Sequence, residues 1–438
     1  MLSFKKIFAK IVANYGMNLF GDSFLICEFR QTIMDTLSFD NTRNAFAYKS
    51  DSELKKARFL FSTMGKRLLV KLGTRITPLF IKWHFPINGL IRNTIFSQFV
   101  GGETLEETAD VVNKLDPFHV QVILDYGVEG KEGEENFDHA ADEFIKVIRY
   151  AASQPHVPFM SVKLTGLARF SLLEKLHAAA VYQDVLNGIV ATNSLDDNQK
   201  QEWERVVARM EKICQAADES DTAVLVDAEE SWIQDPVDAL TMQMMQQFNI
   251  KKPVVYNTVQ LYRHDRLQFL KDSYDASLRN NFLLGIKPVR GAYMEKERNR
   301  AGESGYASPI QPDKEHTDKD YNAALEFCMQ RIENIFLVVA SHNEYSNLYA
   351  TQLMQRYGIP EDSAHVMFSQ LYGMSDNITF NLAKAGFNAS KYLPFGPIKD
   401  VIPYLMRRAQ ENSSVSGQTG RELTLINNEI KRRRSSES

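Results

Sequence analysis

Cysteine is scarce in this chain of 438 residues, which excludes the classes of protein that depend on it. The three cysteines, Cys27, Cys214 and Cys328, are far apart in the sequence and form no CxxC pair. A disulfide framework or a structural zinc site needs cysteines at closer spacing, and the chain also lacks the HExxH motif of zinc enzymes. We therefore expect no metal ion and a protein of a reducing compartment.

Long hydrophobic runs are also missing. No apolar stretch reaches the roughly 18 residues that a membrane-spanning helix requires, and the stretch after Leu68 is interrupted by Lys71, Arg75 and Lys82. Residues 1–21 contain lysine but no arginine and little serine, which favours an N-terminal helix over an organelle transit peptide. The sequence therefore predicts a protein that does not cross a bilayer.

The chain has no large excess of one charge, but one of its segments is strongly basic. The formal net charge is −4 and no RNA- or DNA-binding motif occurs, so we expect no nucleic-acid partner. Residues 55–92 contain nine Lys or Arg and no Asp or Glu. Such a segment is either the solvated basic face of packed helices, which we favour, or a surface for peripheral membrane association.

Glycine-rich nucleotide motifs are absent, whereas a regular alternation of apolar segments is present. No GxGxxG follows a predicted strand and no GxxxxGK[ST] occurs, so a nucleotide cofactor would have to bind on another kind of fold. Up to about residue 117 the apolar spacing is typical of helices. Eight short apolar runs then alternate with amphipathic segments, and they begin near residues 120, 159, 223, 253, 283, 335, 364 and 390. This α/β pattern predicts a parallel sheet, and eight repeats favour a closed (βα)8 TIM-type barrel.

Almost every predicted strand ends in a polar side chain. These residues are Asp125, Lys163, Asp227, Asn257, Lys287, Arg290, His342, Asn343, Gln370 and Tyr392. In a barrel of this type the carboxyl ends of the strands surround one mouth, where the active site lies. One such residue is more often an ordinary loop or capping residue, but polar residues at eight successive strand ends predict a functional site.

A pair of arginines follows the last predicted strand. In YLMRRAQEN, residues 404–412, helical spacing places Tyr404, Arg407, Arg408 and Glu411 on one face. An RRxxE motif is usually a solvated ion-pair cluster. Because this one follows the last strand, its helix can lie over the mouth, where two guanidinium groups would bind a small carboxylate or a phosphate.

Characteristic segments are spread over most of residues 118–415. They are LDYGVEG (124–130), SVKLTGLARF (161–170), VLVDAEES (224–231), NTVQLYRHD (257–265), KPVRGAYMEKER (287–298), ASHNEYS (340–346), FSQLYGMSD (368–376) and YLPFGPIKDVIPYLMRRAQENSSV (392–415). The motifs VRGAY, SHN and RRxxEN in this order are highly specific. In these segments the chain resembles the proline dehydrogenase family.

What the resemblance implies is a specific fold and reaction. The family has a distorted (βα)8 barrel that holds FAD and oxidises L-proline to 1-pyrroline-5-carboxylate by hydride transfer to flavin N5. The electrons then pass to a membrane quinone. Because no aldehyde dehydrogenase region follows, we expect only the first step of proline degradation here.

The resemblance also implies how the proline carboxylate is held. Arg407 and Arg408 would form a clamp with Lys163 as a third cation, and Asp227 and Glu411 would offset the positive charge. Lys163, Asp227, Tyr392 and the two arginines would be the catalytic group.

Tyrosines would form the wall around the proline ring. The expected residues are Tyr293, Tyr392 and Tyr404, and Pro288 stands where the family often has leucine. Relatives also place an acid after the first strand that pairs with the first arginine of the clamp. We therefore expect Glu129 to form a gate.

For FAD the resemblance implies contacts from the ends of four strands. The expected residues are Asn257 or Gln260, Lys287, Arg290, Gly291, Ala292, Tyr293, Ser341, His342, Asn343 and Gln370. Lys287 would lie near N5, Arg290 on phosphate, and the SHN segment on ribose, adenine or phosphate. His342 has an alternative as a strand-end histidine bonded to backbone.

These expectations divide the chain into a helical region (1–117), a barrel (118–425) and a basic, disordered tail (426–438). The enzyme would be cytoplasmic, at the inner face of the membrane that carries the quinone, or mitochondrial in a eukaryote. The alternative function is a barrel aldolase or lyase in which Lys163 forms a Schiff base and the arginine pair holds a phosphate. A non-enzymatic scaffold is the third hypothesis.

Overall fold

Eight parallel β-strands form a closed barrel in the computed structural model, which describes residues 37–65, 88–127, 132–154, 156–414 and 418–437. The strands are β1 Val120–Tyr126, β2 Phe159–Val162, β3 Ala223–Val226, β4 Val255–Gln260, β5 Leu284–Val289, β6 Ile335–Ala340, β7 Val366–Leu371 and β8 Ala389–Phe395. Each strand pairs with its neighbour in chain order, and β8 closes the barrel on β1. The eight predicted strands and the barrel are therefore confirmed.

Helices precede the barrel and connect its strands. Within the described ranges the α-helices are α1 Thr42–Ala45, α2 Asp51–Met64, α3 Asn88–Ile91, α4 Ser97–Phe99, α5 Leu105–Leu115, α6 Glu134–Ala152, α7 Phe170–Ala178, α8 Tyr182–Leu186, α9 Asp197–Glu219, α10 Gln234–Phe248, α11 Arg266–Arg279, α12 Met294–Ser304, α13 Lys314–Met329, α14 Glu344–Arg356, α15 Asp376–Lys384, α16 Ile398–Ser414 and α17 Gln418–Glu437. A π-helical turn spans Arg92–Phe96, and 3-10 turns span Asp116–Phe118, Leu164–Gly166 and Ser231–Ile233. The predicted N-terminal helical region is present.

Alternation along the strands separates an apolar floor from a polar mouth. Ile123, Leu225 and Tyr256 are buried in one apolar cluster inside the barrel. Because side chains alternate between the two faces of a strand, the residue two positions later points to the same interior. Asp125 follows Ile123 in this way, and Asp227 follows Leu225. The barrel therefore directs both carboxylates inward at the carboxyl ends of its strands.

A second apolar cluster joins the N-terminal helices to the last two helices. Phe61 of α2, Phe99 of α4, Leu405 of α16 and Ile426 of α17 are buried in it. A capping box defines the start of α2. The Ser50 hydroxyl accepts a hydrogen bond from the backbone amide of Glu53, and the Glu53 carboxylate accepts one from the backbone amide of Ser50. This packing holds α16, the helix with the arginine pair, against the N-terminal region.

The prediction of a disordered tail is wrong, because α17 extends through most of residues 426–438. Ile430 is buried in the second apolar cluster. Arg433 donates to the backbone carbonyl oxygens of Phe46 at 2.8 Å and Lys49 at 2.9 Å. Arg433 therefore anchors the last helix to the N-terminal helices, and Arg432 and Arg433 both form ion pairs with Glu429.

Two features of the sequence lie wholly or partly outside the described residues. Glu129, the expected gate, is one of them, and so is the stretch 66–87 of the basic segment. Nothing in the described part of the chain forms a helix that is both long and apolar enough to span a membrane.

Candidate active site

A polar cluster from five strands lies inside the mouth of the barrel. Nζ of Lys163, which follows β2, lies 2.9 Å from Oδ1 of Asp125 on β1 and 3.5 Å from Oδ2 of Asp227, which follows β3. Lys287 on β5 forms an ion pair with Oδ1 of Asp227. The hydroxyl of Tyr392 on β8 donates to Oδ2 of Asp227 at 2.7 Å. Lys163, Asp227 and Tyr392, which the sequence places in one catalytic group, are in direct contact.

Asp227 is the centre of this cluster and is ionised. Burial alone would favour its neutral form, but the positive charges of Lys287 and Lys163 and the hydrogen bonds from Lys287 and Tyr392 outweigh burial and lower the pKa of Asp227. One carboxylate therefore holds two ammonium groups and one phenol in fixed positions. The arrangement is preorganised, since no partner has to move for the contacts to form.

Tyr392 is held as a neutral hydrogen-bond donor. Burial, together with the carboxylates of Asp125 and Asp227, raises the pKa of Tyr392 well above its ordinary value. The hydroxyl of Ser161 lies 2.8 Å from Oδ1 of Asp125 and 2.8 Å from the Tyr392 hydroxyl. Because each hydroxyl has one proton and Tyr392 donates its own to Asp227, Ser161 donates either to Asp125 or to Tyr392, not to both at once.

Arg290, at the end of β5, is fixed by three side chains. Its Nη1 donates to Oγ of Ser341 at 2.7 Å, its Nη2 to Oγ of Ser346 at 2.9 Å and its Nε to Oδ1 of Asp318 at 2.7 Å. Its Cζ lies 4.3 Å from the ring centroid of Tyr321. The structure thus brings Arg290 and Ser341 together in a rigid arrangement that could bind an anion.

The turn after Arg290 requires glycine. Gly291 has φ of +127°, and a Cβ at this position would lie 2.5 Å from ring atoms of Tyr262. Gly291 and Ala292 are exposed, and half-buried Tyr293 precedes α12. The turn therefore presents accessible backbone directly after Arg290 in the chain.

Two of the residues expected to contact FAD point away from the barrel interior. Nδ2 of Asn257 donates to Oδ1 of Asp238 on α10 at 3.0 Å, so this side chain lies between the barrel and the helices. Gln370 lies on the outer face of β7 and accepts a hydrogen bond from Thr379 of α15 at 2.7 Å. Gln260 is on the same face of β4 as Tyr256, and its Nε2 donates to a backbone carbonyl oxygen at 2.7 Å.

His342 is half-buried in a positively charged environment. Burial, followed by the positive charges of Arg408, Lys391 and Arg290, lowers the pKa of His342 to about 3. The imidazole is therefore neutral at physiological pH. Its Nδ1 lies 2.9 Å from Oγ of Ser375, so the alternative of a hydrogen bond to backbone does not apply to this nitrogen.

The arginine pair lies on α16, the helix that follows β8. Arg408 is buried, and its Cζ lies 5.1 Å from the ring centroid of Tyr404. Arg407 is half-buried. Asn343, which the resemblance assigns to FAD, instead caps α14: its side-chain oxygen accepts a hydrogen bond from the backbone amide of Ser346 at 3.0 Å. Tyr404 itself belongs to the second apolar cluster. The Glu411 side chain is not among the described ones, so its expected role stays a prediction.

The sequence model of the family described as Proline dehydrogenase matches residues 108–421. The chain belongs to the proline dehydrogenase family. Curated relatives agree: proline dehydrogenase 1, mitochondrial, of Dictyostelium discoideum is 35% identical over 379 residues, which cover 80% of this chain and 66% of that protein. Hydroxyproline dehydrogenase of Xenopus laevis is 33% identical over 365 residues, which cover 78% of this chain and 78% of that protein.

Solved structures show the same fold in much longer proteins. Proline utilization A from Bdellovibrio bacteriovorus, in a crystal structure described as inactivated by N-propargylglycine, has a TM-score of 0.67 at 17% identity and is matched over 94% of this chain. Proline utilization A of Bradyrhizobium japonicum has a TM-score of 0.58 at 21% identity. The present chain spans 44% of the first protein and 33% of the second.

Several contacts in and around the site of this proline dehydrogenase family member are not predicted by the sequence. Asp125 was recognised as a strand end, but its ion pair with Lys163 was not expected. Ser161 carried no signal, because a serine inside a strand is ordinary. Glu422 is far from every motif, yet it is buried and accepts the backbone amide of Ser375 at 2.5 Å. The residue Ser375, with φ of +50°, in turn contacts His342.

Glu422 predicts an unusual dependence of stability on pH. Burial, followed by the nearby charge of Asp376, raises its pKa from 4.5 to about 7. Because the folded state favours the protonated acid, its contribution to stability is full below pH 4.5 and is lost as pH rises through about 7. Glu422→Gln keeps the acceptor for the Ser375 amide but cannot ionise. The free energy of unfolding of the variant minus that of the wild type should therefore increase as pH is raised from 5 to 8, by up to about 3 kcal/mol.

Denaturant unfolding at the two pH values measures this difference. Glu303→Gln, an exposed position, is the control and should show none. A wild-type-to-variant difference that is the same at pH 5 and pH 8 would contradict the predicted ionisation of Glu422.

Proposed function

We propose that this protein is an FAD-dependent dehydrogenase that oxidises L-proline to 1-pyrroline-5-carboxylate. The observation that carries the proposal is the cluster around Asp227, in which Lys163, Lys287 and Tyr392 meet at the mouth of a barrel of this family. The names of the curated relatives support proline or a close analogue as substrate.

The residues present suit FAD. Lys287 and Arg290 are basic, the next residue, Gly291, is exposed, and the Ser341 hydroxyl accepts a hydrogen bond from the Arg290 guanidinium. This set of donors suits a pyrophosphate and the polar edge of a flavin. Of the two expected residues of β4, we favour Gln260, since Asn257 points toward α10. Bound FAD would accept the hydride that leaves the proline ring carbon next to nitrogen.

The chain's own part in the reaction is to bind and orient proline. Arg407 and Arg408 would hold the carboxylate, and Lys163 would add a third positive charge. Asp227 and Asp125 hold the Lys163 ammonium in place through ion pairs. Because a fixed carboxylate fixes the ring, the carbon that loses hydride is presented in one orientation. The amine proton must leave as the C=N bond forms.

The Schiff-base alternative is less well supported. A lysine that attacks a carbonyl must be neutral, and such lysines are desolvated or lie beside other cations. Lys163 instead lies within ion-pair distance of two carboxylates, which stabilise its charged form. Two-carboxylate pairing is the opposite of what an aldolase lysine requires.

A visible absorption spectrum tests the proposed function. The purified protein, or the protein after addition of FAD, should absorb in the blue, and anaerobic L-proline should bleach this absorption. A protein that binds no flavin would contradict the proposal. Borohydride trapping with carbonyl compounds, in the wild type and in Lys163→Gln, tests the alternative. Comparing L-proline with hydroxyproline assigns the substrate.

The gate between Glu129 and Arg407 is a prediction for substrate retention. Glu129→Ala should leave FAD bound and raise KM for proline roughly five-fold, because a single ion pair outside a fully desolvated site typically contributes about 1 kcal/mol. Stopped-flow reduction and steady-state kinetics measure the effect. Glu132→Ala removes an exposed carboxylate nearby and serves as the control. Identical kinetics in wild type and Glu129→Ala would remove the gate.

We also propose that a membrane quinone accepts the electrons and that the protein binds the membrane surface peripherally. On α2 the exposed residues Lys55, Lys56, Arg58 and Phe59 combine positive charge with an apolar side chain. Each surface cation contributes about 1 kcal/mol toward an anionic bilayer at low salt. The protein would act at the inner face of a cytoplasmic membrane or at a mitochondrial membrane. The name of the Dictyostelium relative, which includes the word mitochondrial, supports the second location.

Vesicle co-sedimentation tests this prediction. Binding to anionic vesicles should exceed binding to neutral vesicles and should fall as salt is raised. A variant with Lys55, Lys56 and Arg58 changed to Gln should bind less. Equal recovery on both kinds of vesicle would identify the basic segment as a solvated helical face, the interpretation that the sequence favours.

A further inference from the structure

The loop between β7 and α15, residues 372–375, lies at the mouth of the barrel because it follows the carboxyl end of β7. Its last residue, Ser375, is buried and has φ of +50° and ψ of +43°. This left-handed conformation is uncommon for residues other than glycine, so surrounding contacts must stabilise it. The Ser375 hydroxyl lies 2.9 Å from Nδ1 of His342. The backbone of Ser375 therefore decides where one hydrogen-bond partner of that imidazole stands.

Two buried side chains from outside the loop hold its backbone. Nζ of Lys391 on β8 donates to the carbonyl oxygen of Met374 at 2.6 Å and lies 2.9 Å from Oδ1 of Asp376, the first residue of α15. Oε1 of Glu422 on α17 accepts the backbone amide of Ser375 at 2.5 Å. Lys391 thus holds the groups on either side of Ser375, and Glu422 holds the amide of Ser375 itself.

The charges around Glu422 do not make it the counter-ion of a lysine. Lys391 and Lys49 both face Asp376, at 2.9 Å and 3.8 Å, and neither lies within ion-pair distance of Glu422 in the described part of the chain. The contact of Glu422 is with a neutral amide, which needs an acceptor oxygen and no charge. A glutamine at this position can therefore make the same contact.

His342 connects this loop to the residues of the site. A neutral imidazole has one N–H, and the hydrogen bond at one nitrogen selects the nitrogen that carries the proton. The contact with Ser375 at Nδ1 therefore selects the tautomer of His342 as well as the orientation of its ring. Arg408 lies close enough for its charge to act on the same imidazole.

We propose that Glu422 is a positioning residue of the active site: through the Ser375 amide it maintains the left-handed turn that sets the orientation and tautomer of His342. The consequence for FAD rests on the proposed function, in which His342 is one of the residues that contact the cofactor. By this route α17, a helix outside the eight βα units, acts on the mouth of the barrel. The competing interpretation is that the Glu422 bond only attaches α17 to the barrel.

Two-bond proton–nitrogen NMR of the full-length protein labelled with nitrogen-15 histidine tests the link to His342 independently of FAD. The chain has nine histidines, and His342→Gln assigns the signals of His342. A single tautomer gives two ring nitrogens with widely separated shifts, and exchange between tautomers brings the shifts together. We expect separated shifts in the wild type.

Three variants identify the contact that fixes the tautomer. Glu422→Leu has no acceptor for the amide, and it should bring the two His342 shifts together. Ser375→Gly allows the left-handed backbone but lacks the hydroxyl, and it should do the same. Glu422→Gln keeps an acceptor and should leave the shifts as in the wild type. If Glu422→Leu does not fold, Glu422→Ala, which also lacks the acceptor, takes its place.

FAD binding, followed by flavin fluorescence as FAD is added to the full-length protein, measures the consequence for the cofactor. Glu422→Leu should weaken binding about three- to ten-fold, the usual effect of one hydrogen bond, and should have no further effect once His342 is changed to Gln. The exposed Glu303→Gln is the control and should bind as the wild type does.

The outcomes separate this proposal from the proposed function. Averaged His342 shifts in the wild type, or separated shifts in Glu422→Leu, would overturn the role of Glu422 and leave the proposed function intact. An effect of Glu422→Leu on FAD binding that persists in His342→Gln would also overturn it, since α17 would then serve the fold alone. A protein that binds no FAD contradicts the proposed function, and the histidine spectra still decide whether Glu422 positions His342.

Discussion

Arg408→Met is expected to weaken binding of a proline analogue by roughly 30- to several-thousand-fold while FAD stays bound. The estimate follows from the cost of removing one partner of a desolvated charge pair, about 2–5 kcal/mol. Arg408 is buried, and its guanidinium lies over the Tyr404 ring, so it meets the condition of a desolvated, fixed cation. Arg407 is half-buried, and we expect a smaller loss in Arg407→Met.

Two probes separate carboxylate binding from general damage. A proline analogue that keeps the carboxylate should bind more weakly to both variants, whereas pyrrolidine, which lacks it, should bind as it does to the wild type. Arg→Lys should restore affinity only in part, because an ammonium cannot form the planar two-donor contact. If RRxxE is a solvated ion-pair cluster, the change stays below about 1 kcal/mol. Loss of the flavin spectrum would instead assign these arginines to the cofactor.

The fold could be predicted from the sequence because two periodic signals agree. Short apolar runs alternate with amphipathic helices, and the polar residue at each strand end marks the side on which the strands finish. These signals located all eight strands. They do not give the register, however, so Asn257 and Gln370 appeared equivalent to Lys287 although they point outward. A shift of one residue reverses the face of a strand side chain.

Other parts of the site could not be predicted because their partners are distant in the sequence. Glu422 contacts Ser375 across 47 residues, and Arg433 contacts Phe46 across 387. Neither contact leaves a local pattern. The charge run in the last helix is typical of a solvated tail, but the burial of Ile426 and Ile430 and the hydrogen bonds of Arg433 attach that helix to the N-terminal helices.

Asp227→Asn is expected to lower turnover by more than about 100-fold and to destabilise the protein by about 3–5 kcal/mol at neutral pH. The carboxamide is the same size as the carboxylate, but it carries no charge and one of its two ends is a donor. Lys163 and Lys287 would lose a shared anion, and the amide N–H would face an ammonium or the Tyr392 hydroxyl. The loss is electrostatic and leaves no cavity.

The pH dependence makes this prediction specific. The folded-state pKa of Asp227 lies below its ordinary value of 3.8, so its stabilising effect is present above pH 3.8 and is lost as pH falls through the lowered pKa. The stability difference between wild type and Asp227→Asn should therefore be full at pH 7 and should shrink below about pH 4. Denaturant unfolding across this range measures it, with exposed Asp197→Asn as the control.

Tyr392→Phe separates the charge of Asp227 from its hydrogen bond. This variant removes the 2.7 Å bond to Oδ2 but leaves both ion pairs, so we expect a loss of only about 1 kcal/mol. Because this hydrogen bond also helps to lower the pKa of Asp227, the loss should shrink in acid as that of Asp227→Asn does, but by a smaller amount. If Asp227→Asn and Tyr392→Phe have equal effects at pH 7, the carboxylate acts through its hydrogen bond alone. If Asp227→Asn turns over proline normally, the cluster at the mouth serves folding and the catalytic role belongs to the arginine pair.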